Sequence, residues 1–322
     1  MTGPAVSVVV PSHARRLRLR WLLNALEDQT LDPAAFEVIV IHDYAGDDAE
    51  LLDAHPLAQA GRMRQVRIEP GTGRPSVQRN IGWKVAAAPL VAFIDDDCRP
   101  DERWLEALLL SARAAPRAIV QGRTRGDPYE VNVLASPHAR TLKVKPPHDF
   151  AQTCNIAYPK ALLERVGGFD ESMPAPAGED TDLAMRARAT GAELVGAPDA
   201  VVYHAVDAYS LPDAIRLNLK WRHLAFVIKR HPELRKHLTH WVFWRRSHRD
   251  VLLLAAGAAL ASRFPPAMLL AAPWLYRRLT RRGTHRRALA AGVLELPGGL
   301  VVDAAEVATM AWGSAHYRTL ML

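Results

Sequence analysis

VAFIDDDCRP, residues 91–100, places three adjacent aspartates directly behind a short apolar run. The apolar part reads as a buried strand, and the carboxylates then stand at its carboxyl end. Three neighbouring carboxylates repel one another, and burying them is costly unless a cation or hydrogen-bond donors compensate. Hard divalent cations such as Mg²⁺ or Mn²⁺ take oxygen ligands and often share them with substrate phosphates. A D-x-D at a strand end can therefore hold a metal–diphosphate. Taken alone, the same three residues also read as a helix cap or a solvated loop, because so short a motif is unspecific.

The surrounding chain alternates. Strands are expected at Val6–Val10, Phe36–Ile41, Arg64–Ile68, Leu90–Ile94 and Ala118–Gln121. Helices are expected at Leu17–Leu26, Leu51–Ala60, Ser76–Ala88 and Asp101–Ala114. Residues 122–175 are less regular, with a loop at Lys143–His148 and a glycine turn at Gly167-Gly168. A helix over Thr181–Ala189 and strands at Glu193–Val195 and Ala200–His204 follow. This order predicts an α/β fold: a mostly parallel, doubly wound sheet flanked by helices, followed by an α-helical C-terminal region. The division is expected at 1–210 and 211–322. Ligands of such sheets bind beyond the carboxyl ends of the strands, where Asp43 and Asp95–Asp97 both lie.

Charge divides along the same line. Residues 211–290 carry 17 Lys/Arg against 3 Asp/Glu, a net of +14, while the whole chain is +7. An acidic partner is expected for that segment, either nucleic acid or an anionic membrane face. Its basic residues alternate with long aliphatic runs, which argues against nucleic acid. DVLLLAAGAALASRFPPAMLLAAPWLYRRL (250–279) is split by Arg263 and Pro265-Pro266 into halves too short to span a bilayer. With WRRSHR and YRRLTRR on either side, it reads as an interfacial helical hairpin; a soluble helical subdomain or a homo-oligomer interface is the alternative. Two cysteines, Cys98 and Cys154, are too few for a disulfide framework, fit a reducing compartment and read as apolar fillers. MTGPAVSVVVPS lacks the basic and apolar regions of a signal peptide.

Six blocks in order carry a resemblance: PSHARR (11–16), VIVIHD (38–43), GRPSVQRNIGW (73–83), VAFIDDDCRP (91–100), CNIAYPKALLERVGGFDE (154–171) and GEDTDLAMRA (178–187). Together they resemble family 2 glycosyltransferases, over about residues 5–240. The closing GSAHYRTLML is similar to the end of bacterial members with membrane-associated C-terminal helices. The resemblance implies a GT-A fold and inverting transfer of a sugar from a nucleotide-diphosphate sugar to an acceptor hydroxyl. A glycan or lipid-linked acceptor, and a cytoplasmic chain peripheral on the inner face of the plasma membrane, go with it.

By position, the resemblance implies that Asp43 receives the nucleotide base. It places Arg79 and Asn80 near the donor, Asn155 against the donor sugar, and Glu179 against the sugar or the acceptor. It assigns Asp97 to a divalent cation and Asp95 to the cation or the ribose, with Asp96 sharing either task. His204 is a further metal or phosphate contact, and Asp180 is the catalytic base. Asp182 reads as structural. The residues also allow plainer readings: Asp43 as an N-cap, Arg79 on a solvated helix face, Glu179-Asp180 as favourable charge at a helix start, and His204 as a structural histidine. Ala14 and His42 depart from the family pattern and put base recognition in doubt. A metal-dependent nucleotidyltransferase and a non-catalytic membrane-associated sugar-binding adaptor are the rival functions. PSHARR lacks the glycines of a phosphate loop, and the D-x-D and GED carboxylates are intact.

Overall fold

A computed structural model describes residues 3–44, 50, 52–174 and 177–322. The chain divides into two compact units, Met1–Asp207 and Ala208–Leu322.

The first unit is built on an eight-stranded sheet: β1 (Val6–Ser12), β2 (Phe36–His42), β3 (Met63–Arg67), β4 (Leu90–Phe93), β5 (Cys98–Pro100), β6 (Ile119–Gly126), β7 (Ile156–Pro159) and β8 (Leu194–His204). Their order across the sheet is β3-β2-β1-β4-β7-β6-β8-β5. The helices of this unit are α1 (Arg16–Glu27), α2 (Pro56–Gln59), α3 (Pro75–Val85), α4 (Trp104–Ala114), α5 (Lys160–Val166) and α6 (Glu179–Ala189). The helix expected from Leu51 has its first residue outside the described residues; within them, α2 covers Pro56–Gln59.

All seven residues of β1 are buried, as expected of a central strand covered on both faces. Its side chains alternate. Val6, Val8 and Val10 pack with Leu19, Leu22, Leu23 and Leu26 of α1 and Trp104 of α4. Val9 points the other way, to a second cluster with Trp83 of α3, Leu163 of α5 and Leu183 of α6.

The sheet is mostly parallel, as expected, with antiparallel pairings confined to its second half. β1 runs parallel to β2 and β4, and β3 parallel to β2, while β7 is antiparallel to both β4 and β6. β6 and β8 are parallel, and β5 lies antiparallel on β8. The two strands expected at 193–195 and 200–204 are one, β8, whose pairing with β6 shifts register between Gly122 and Arg123. After β3 the chain returns to the other side of β1 as β4. That reversal is a topological switch point, and the loops after β1, β2 and β4 converge there.

The second unit is helical: α7 (Leu211–Asn218), α8 (Leu224–Arg230), α9 (Arg246–Leu260), α10 (Ala272–Leu279) and α11 (Arg286–Tyr317). The apolar stretch 250–279 is broken after Leu260, as Arg263 and the proline pair predict, and resumes as a 3₁₀ turn, Pro265–Ala271, before α10. α11 is 32 residues long, and by length and composition it is apolar enough to cross a membrane. The sequence reading did not single it out. Its acidic residues are used inside the unit. Glu306 accepts from Arg245 and His248, both at 3.0 Å. Asp303 accepts from Trp274 at 2.8 Å and Arg278 at 3.0 Å, and Glu295 pairs with Arg282. Asp250, fully buried on α9, takes Arg249 at 2.7 Å and Arg277. Five of the arginines assigned by sequence to a lipid surface therefore compensate carboxylates of their own unit, buried in the case of Asp250, Asp303 and Glu306. Arg246, Arg263, Arg286 and Arg287 are exposed.

Candidate active site

The aspartate triplet follows β4, and its three members do different things. Asp96 turns inward and is 5% exposed. Its Oδ2 accepts from the Ser12 hydroxyl at 2.7 Å and the His13 amide at 3.2 Å, and its Oδ1 from Arg15 at 3.1 Å. Burial raises its pKa to about 6, against the opposing pull of Arg15. Asp96 thus fastens the loop after β1 with both of its carboxylate oxygens.

Asp97 points to the other side of the same turn, toward His204, with its side chain 9% exposed. Its Oδ2 accepts from Arg15 at 2.6 Å, and its Oδ1 lies 3.7 Å from His204 Nε2. His204 Nδ1 stands 2.9 Å from the carbonyl of Ala205. A carbonyl only accepts, so Nδ1 carries a proton and Nε2 is the ring nitrogen that faces Asp97. Sequence alone could not fix this tautomer. Asp97 and His204 fit a divalent cation: a carboxylate oxygen and an imidazole nitrogen converge, and the backbone orients the imidazole. Cys98 adds a sulfur to the same group, its ligand atom and theirs all within 4.8 Å of one another. Burial pushes the Cys98 thiol well above its ordinary pKa, with Cys154 beside it.

Asp95 is tied to the opposite wall. Buried Arg79, on α3, donates to Asp95 Oδ1 at 2.7 Å and to Glu179 Oε1 at 3.2 Å. Burial opposes its charge, but the two carboxylates outweigh this and hold its pKa above the usual guanidinium value. The solvated-face reading of Arg79 is corrected accordingly.

Asp180 opens α6 beside Glu179. Burial, reinforced by the charge of Glu179, raises the Asp180 pKa to about 7, while Arg79 and the Thr181 amide pull it down. Its Oδ1 accepts the Thr181 N–H at 2.8 Å. A carboxylate poised near neutrality can take a proton from a hydroxyl. The same turn of α6 is anchored by Asp182, fully buried and paired with Arg186 at 2.8 Å, in keeping with the structural reading.

Asp43 follows β2. Its Oδ2 lies 2.6 Å from His13 Nδ1 and accepts the Gly71 amide at 3.3 Å. His42 donates through Nε2 to Gln65 at 3.1 Å and accepts the Tyr44 amide at Nδ1, so it holds the strand end. Burial lowers its pKa and keeps the ring neutral.

Two asparagines have other tasks than expected. Asn80 donates to the Phe169 carbonyl at 2.9 Å and to Glu171 at 2.7 Å, and accepts from Trp83 at 2.8 Å and the Phe169 amide at 2.9 Å. Four bonds fill its amide. It secures the glycine turn, where Gly168 has φ +69° and a Cβ would meet Asn80 Oδ1 at 2.4 Å. Asn155 donates to the carbonyls of Arg123 and Ala200 and accepts from Trp104, stitching β6 to β8 at the register shift. Both amides bond within the scaffold.

Ser12, His13, Arg15 and Tyr44 were missed. The Tyr44 hydroxyl meets Ser12 Oγ at 2.8 Å and accepts the Arg15 amide at 3.2 Å, so these four order the rim between Asp43 and Asp97. Only the basic pair in PSHARR hinted at them.

This sheet, with its ligand loops at the β1 switch point, is a GT-A fold. Two solved structures share it at low identity. The mannosyltransferase PcManGT from Pyrobaculum calidifontis, in complex with GDP-Man and Mn²⁺, has a TM-score of 0.58 and 18% identity, covering 99% of this chain and 88% of that one. S. aureus TarS 1–349 in complex with UDP has a TM-score of 0.52 and 17% identity, covering 97% and 91%. The family profile "Glycosyl transferase family 2" matches residues 7–168, and the chain belongs to that family. It is 30% identical over 217 residues to the pre-mycofactocin glycosyltransferase of Mycobacterium tuberculosis (strain ATCC 25618 / H37Rv), covering 63% of this chain and 44% of the relative. It is 28% identical over 221 residues to the validoxylamine A glucosyltransferase of Streptomyces hygroscopicus subsp. limoneus, covering 58% and 49%. The chain thus spans about half the length of these relatives.

Proposed function

We propose that this chain is an inverting glycosyltransferase that moves a sugar from a nucleotide-diphosphate sugar to an acceptor hydroxyl. The observation that carries the reading is the Arg79 bridge: one buried guanidinium joins Asp95, in the aspartate triplet, to Glu179, beside Asp180. Donor and acceptor chemistry are thereby held in one rigid frame.

Asp43 and His13 receive the base. Asp97 and His204 hold a divalent cation, Mg²⁺ or Mn²⁺, and Arg15 stands beside them for the diphosphate. When bound, the cation supplies charge neutralisation to the departing diphosphate. Asp180 takes the proton of the acceptor hydroxyl as its oxygen attacks the anomeric carbon. The bond from that carbon to the diphosphate oxygen breaks, and the nucleoside diphosphate leaves from the opposite face. Glu179 keeps Asp180 basic and is placed to touch the sugar. A panel of UDP-, GDP- and dTDP-sugars, screened by thermal shift and by hydrolysis, tests the reading. Stabilisation and slow turnover of one donor are expected; a flat panel with and without Mn²⁺ would overturn it.

A pH dependence follows. With Asp180 raised to about 7, it is protonated and inactive as a base below that pH and ionised above it. The rate at limiting substrate should therefore rise with pH through an acid limb near 7. Glu179→Gln removes the like charge and leaves Arg79 acting on Asp180, so the limb should move to lower pH. A pH profile of kcat/KM for both proteins checks this, and a limb that stays in place assigns it to another group.

The acceptor is proposed to be a cell-envelope glycan or a lipid-linked sugar, with the second unit peripheral on an anionic, cytoplasmic membrane face. Phe264 at 60% exposure, Leu269 at 75% and Tyr276 at 71% provide apolar surface among the exposed arginines. Binding of the full chain to anionic vesicles should weaken as salt rises but persist, because only the charge attraction is screened. Absence of co-sedimentation at low salt would leave a soluble helical unit or a dimer interface.

A further inference from the structure

We propose that Cys98 joins Asp97 and His204 as a third ligand, making this corner of the site a receptor for a thiophilic divalent cation such as Zn²⁺. The inference deepens the divalent-cation reading above, since it uses the same carboxylate and imidazole.

Backbone register brings the three together. β5 is antiparallel to β8, and Cys98 is the direct partner of His204. Directly opposed residues of an antiparallel pair project to the same face with Cβ atoms about 4.5–5.5 Å apart. The Ala205 amide donates to the Asp97 carbonyl at 2.9 Å, which pins the strand entry beside them. The pairing is a property of the sheet and does not depend on a mobile loop.

The donor atoms are spaced for one ion. Asp97 Oδ1 is 3.7 Å from His204 Nε2 and 3.8 Å from Cys98 Sγ. In a tetrahedral zinc site, bonds of about 2.0 Å to oxygen and nitrogen and about 2.3 Å to sulfur set neighbouring donors roughly 3.3–3.5 Å apart. A contraction of a few tenths of an ångström closes the two distances to Asp97, and His204 Nε2 and Cys98 Sγ lie within 4.8 Å of each other. Asp97 divides its labour: Oδ2 is engaged by Arg15, and Oδ1 is the oxygen facing histidine and cysteine. His204 keeps Nδ1–H on the Ala205 carbonyl, as metal-bound imidazoles do with their second nitrogen.

Ligand softness then selects the ion. Mg²⁺ takes oxygen and leaves sulfur alone, whereas Zn²⁺ and Co²⁺ bind thiolate. As the sulfur–metal bond forms, the S–H bond breaks and its proton goes to solvent. Three protein ligands leave a fourth position open. One chain can thus hold a hard cation through oxygen and nitrogen, or a thiophilic one that also recruits sulfur, and the two exclude each other at Asp97 Oδ1.

Co²⁺ titration of the full chain tests this, because thiolate ligation gives a near-ultraviolet charge-transfer band that oxygen and nitrogen ligands do not. The band is expected to saturate and to be bleached by Zn²⁺. Cys98→Ser should lose it while still binding Mn²⁺ by electron paramagnetic resonance, and Cys154→Ser should retain it. His204→Gln, which keeps both cysteines, should also lose it, so the result does not rest on one variant's folding. Mn²⁺ binding without a Co²⁺ band in the wild type, or a band that survives Cys98→Ser, overturns the third ligand alone. Failure to bind either metal removes the divalent-cation reading as well.

Discussion

Asp180→Asn is expected to stop sugar transfer while donor binding survives. Asparagine keeps the size and the acceptor oxygen that takes the Thr181 amide, so the start of α6 should be preserved. It cannot accept a proton at neutral pH. A positioned general base contributes typically about 10²–10⁴-fold, and a loss in that range is expected in kcat with little change in donor affinity. Isothermal titration with the donor and a transfer assay separate the two. Near-normal transfer would remove Asp180 from the base role. A lowered melting temperature with lost donor binding would show that the residue serves the fold. Asp182, two residues on, supplies the contrast: it is fully buried on Arg186, and its replacement should act on stability.

The first half of the sheet was legible because its strands are short β-branched runs with clear stops. β1, β2 and β4 fall within two residues of expectation. β7 and β5 escaped notice for physical reasons. Ile156–Pro159 is four residues long and runs directly into a helix, and Cys98–Pro100 follows the most acidic point of the chain. Their antiparallel placement depends on partners far away in sequence, which no local pattern encodes. The site was legible by residue type where charge carries the chemistry: Asp43, Asp95, Asp97 and Asp180 stand at the ends of elements. Sequence could not show direction. Adjacent Asp96 and Asp97 look identical in a string, yet one is turned toward Ser12 and the other toward His204. Asn80 and Asn155 lie in the quoted blocks, and in the fold their amides bond the scaffold. In the second unit, counting arginines overstated the surface charge available to a membrane, since the carboxylates that engage Arg245, Arg249, Arg277, Arg278 and Arg282 lie from one residue away to 61 residues away along the chain.

That division of partners between Asp96 and Asp97 sets up the second large effect. Asp97→Asn should abolish the dependence of donor binding on Mn²⁺ and reduce turnover on the order of 10²-fold or more, the scale on which removal of one preorganised electrostatic contact acts. The amide retains an oxygen near His204 but loses the charge that holds a hard cation. It also loses an ion pair to Arg15, whose side chain is 48% exposed against 9% for Asp97; Arg15 keeps its pair with Asp96, so the melting temperature should move little. Asp96→Asn should do the opposite. Asp96 accepts three hydrogen bonds in a buried setting, and its replacement should loosen the loop after β1 and lower stability before it touches the metal response. Donor titrations with and without Mn²⁺, run beside thermal melts of the two variants, separate these cases. If Asp97→Asn binds donor with an unchanged Mn²⁺ response, the cation is held elsewhere. If Asp96→Asn is the variant that loses that response with its fold intact, the roles drawn from the two side-chain directions are reversed.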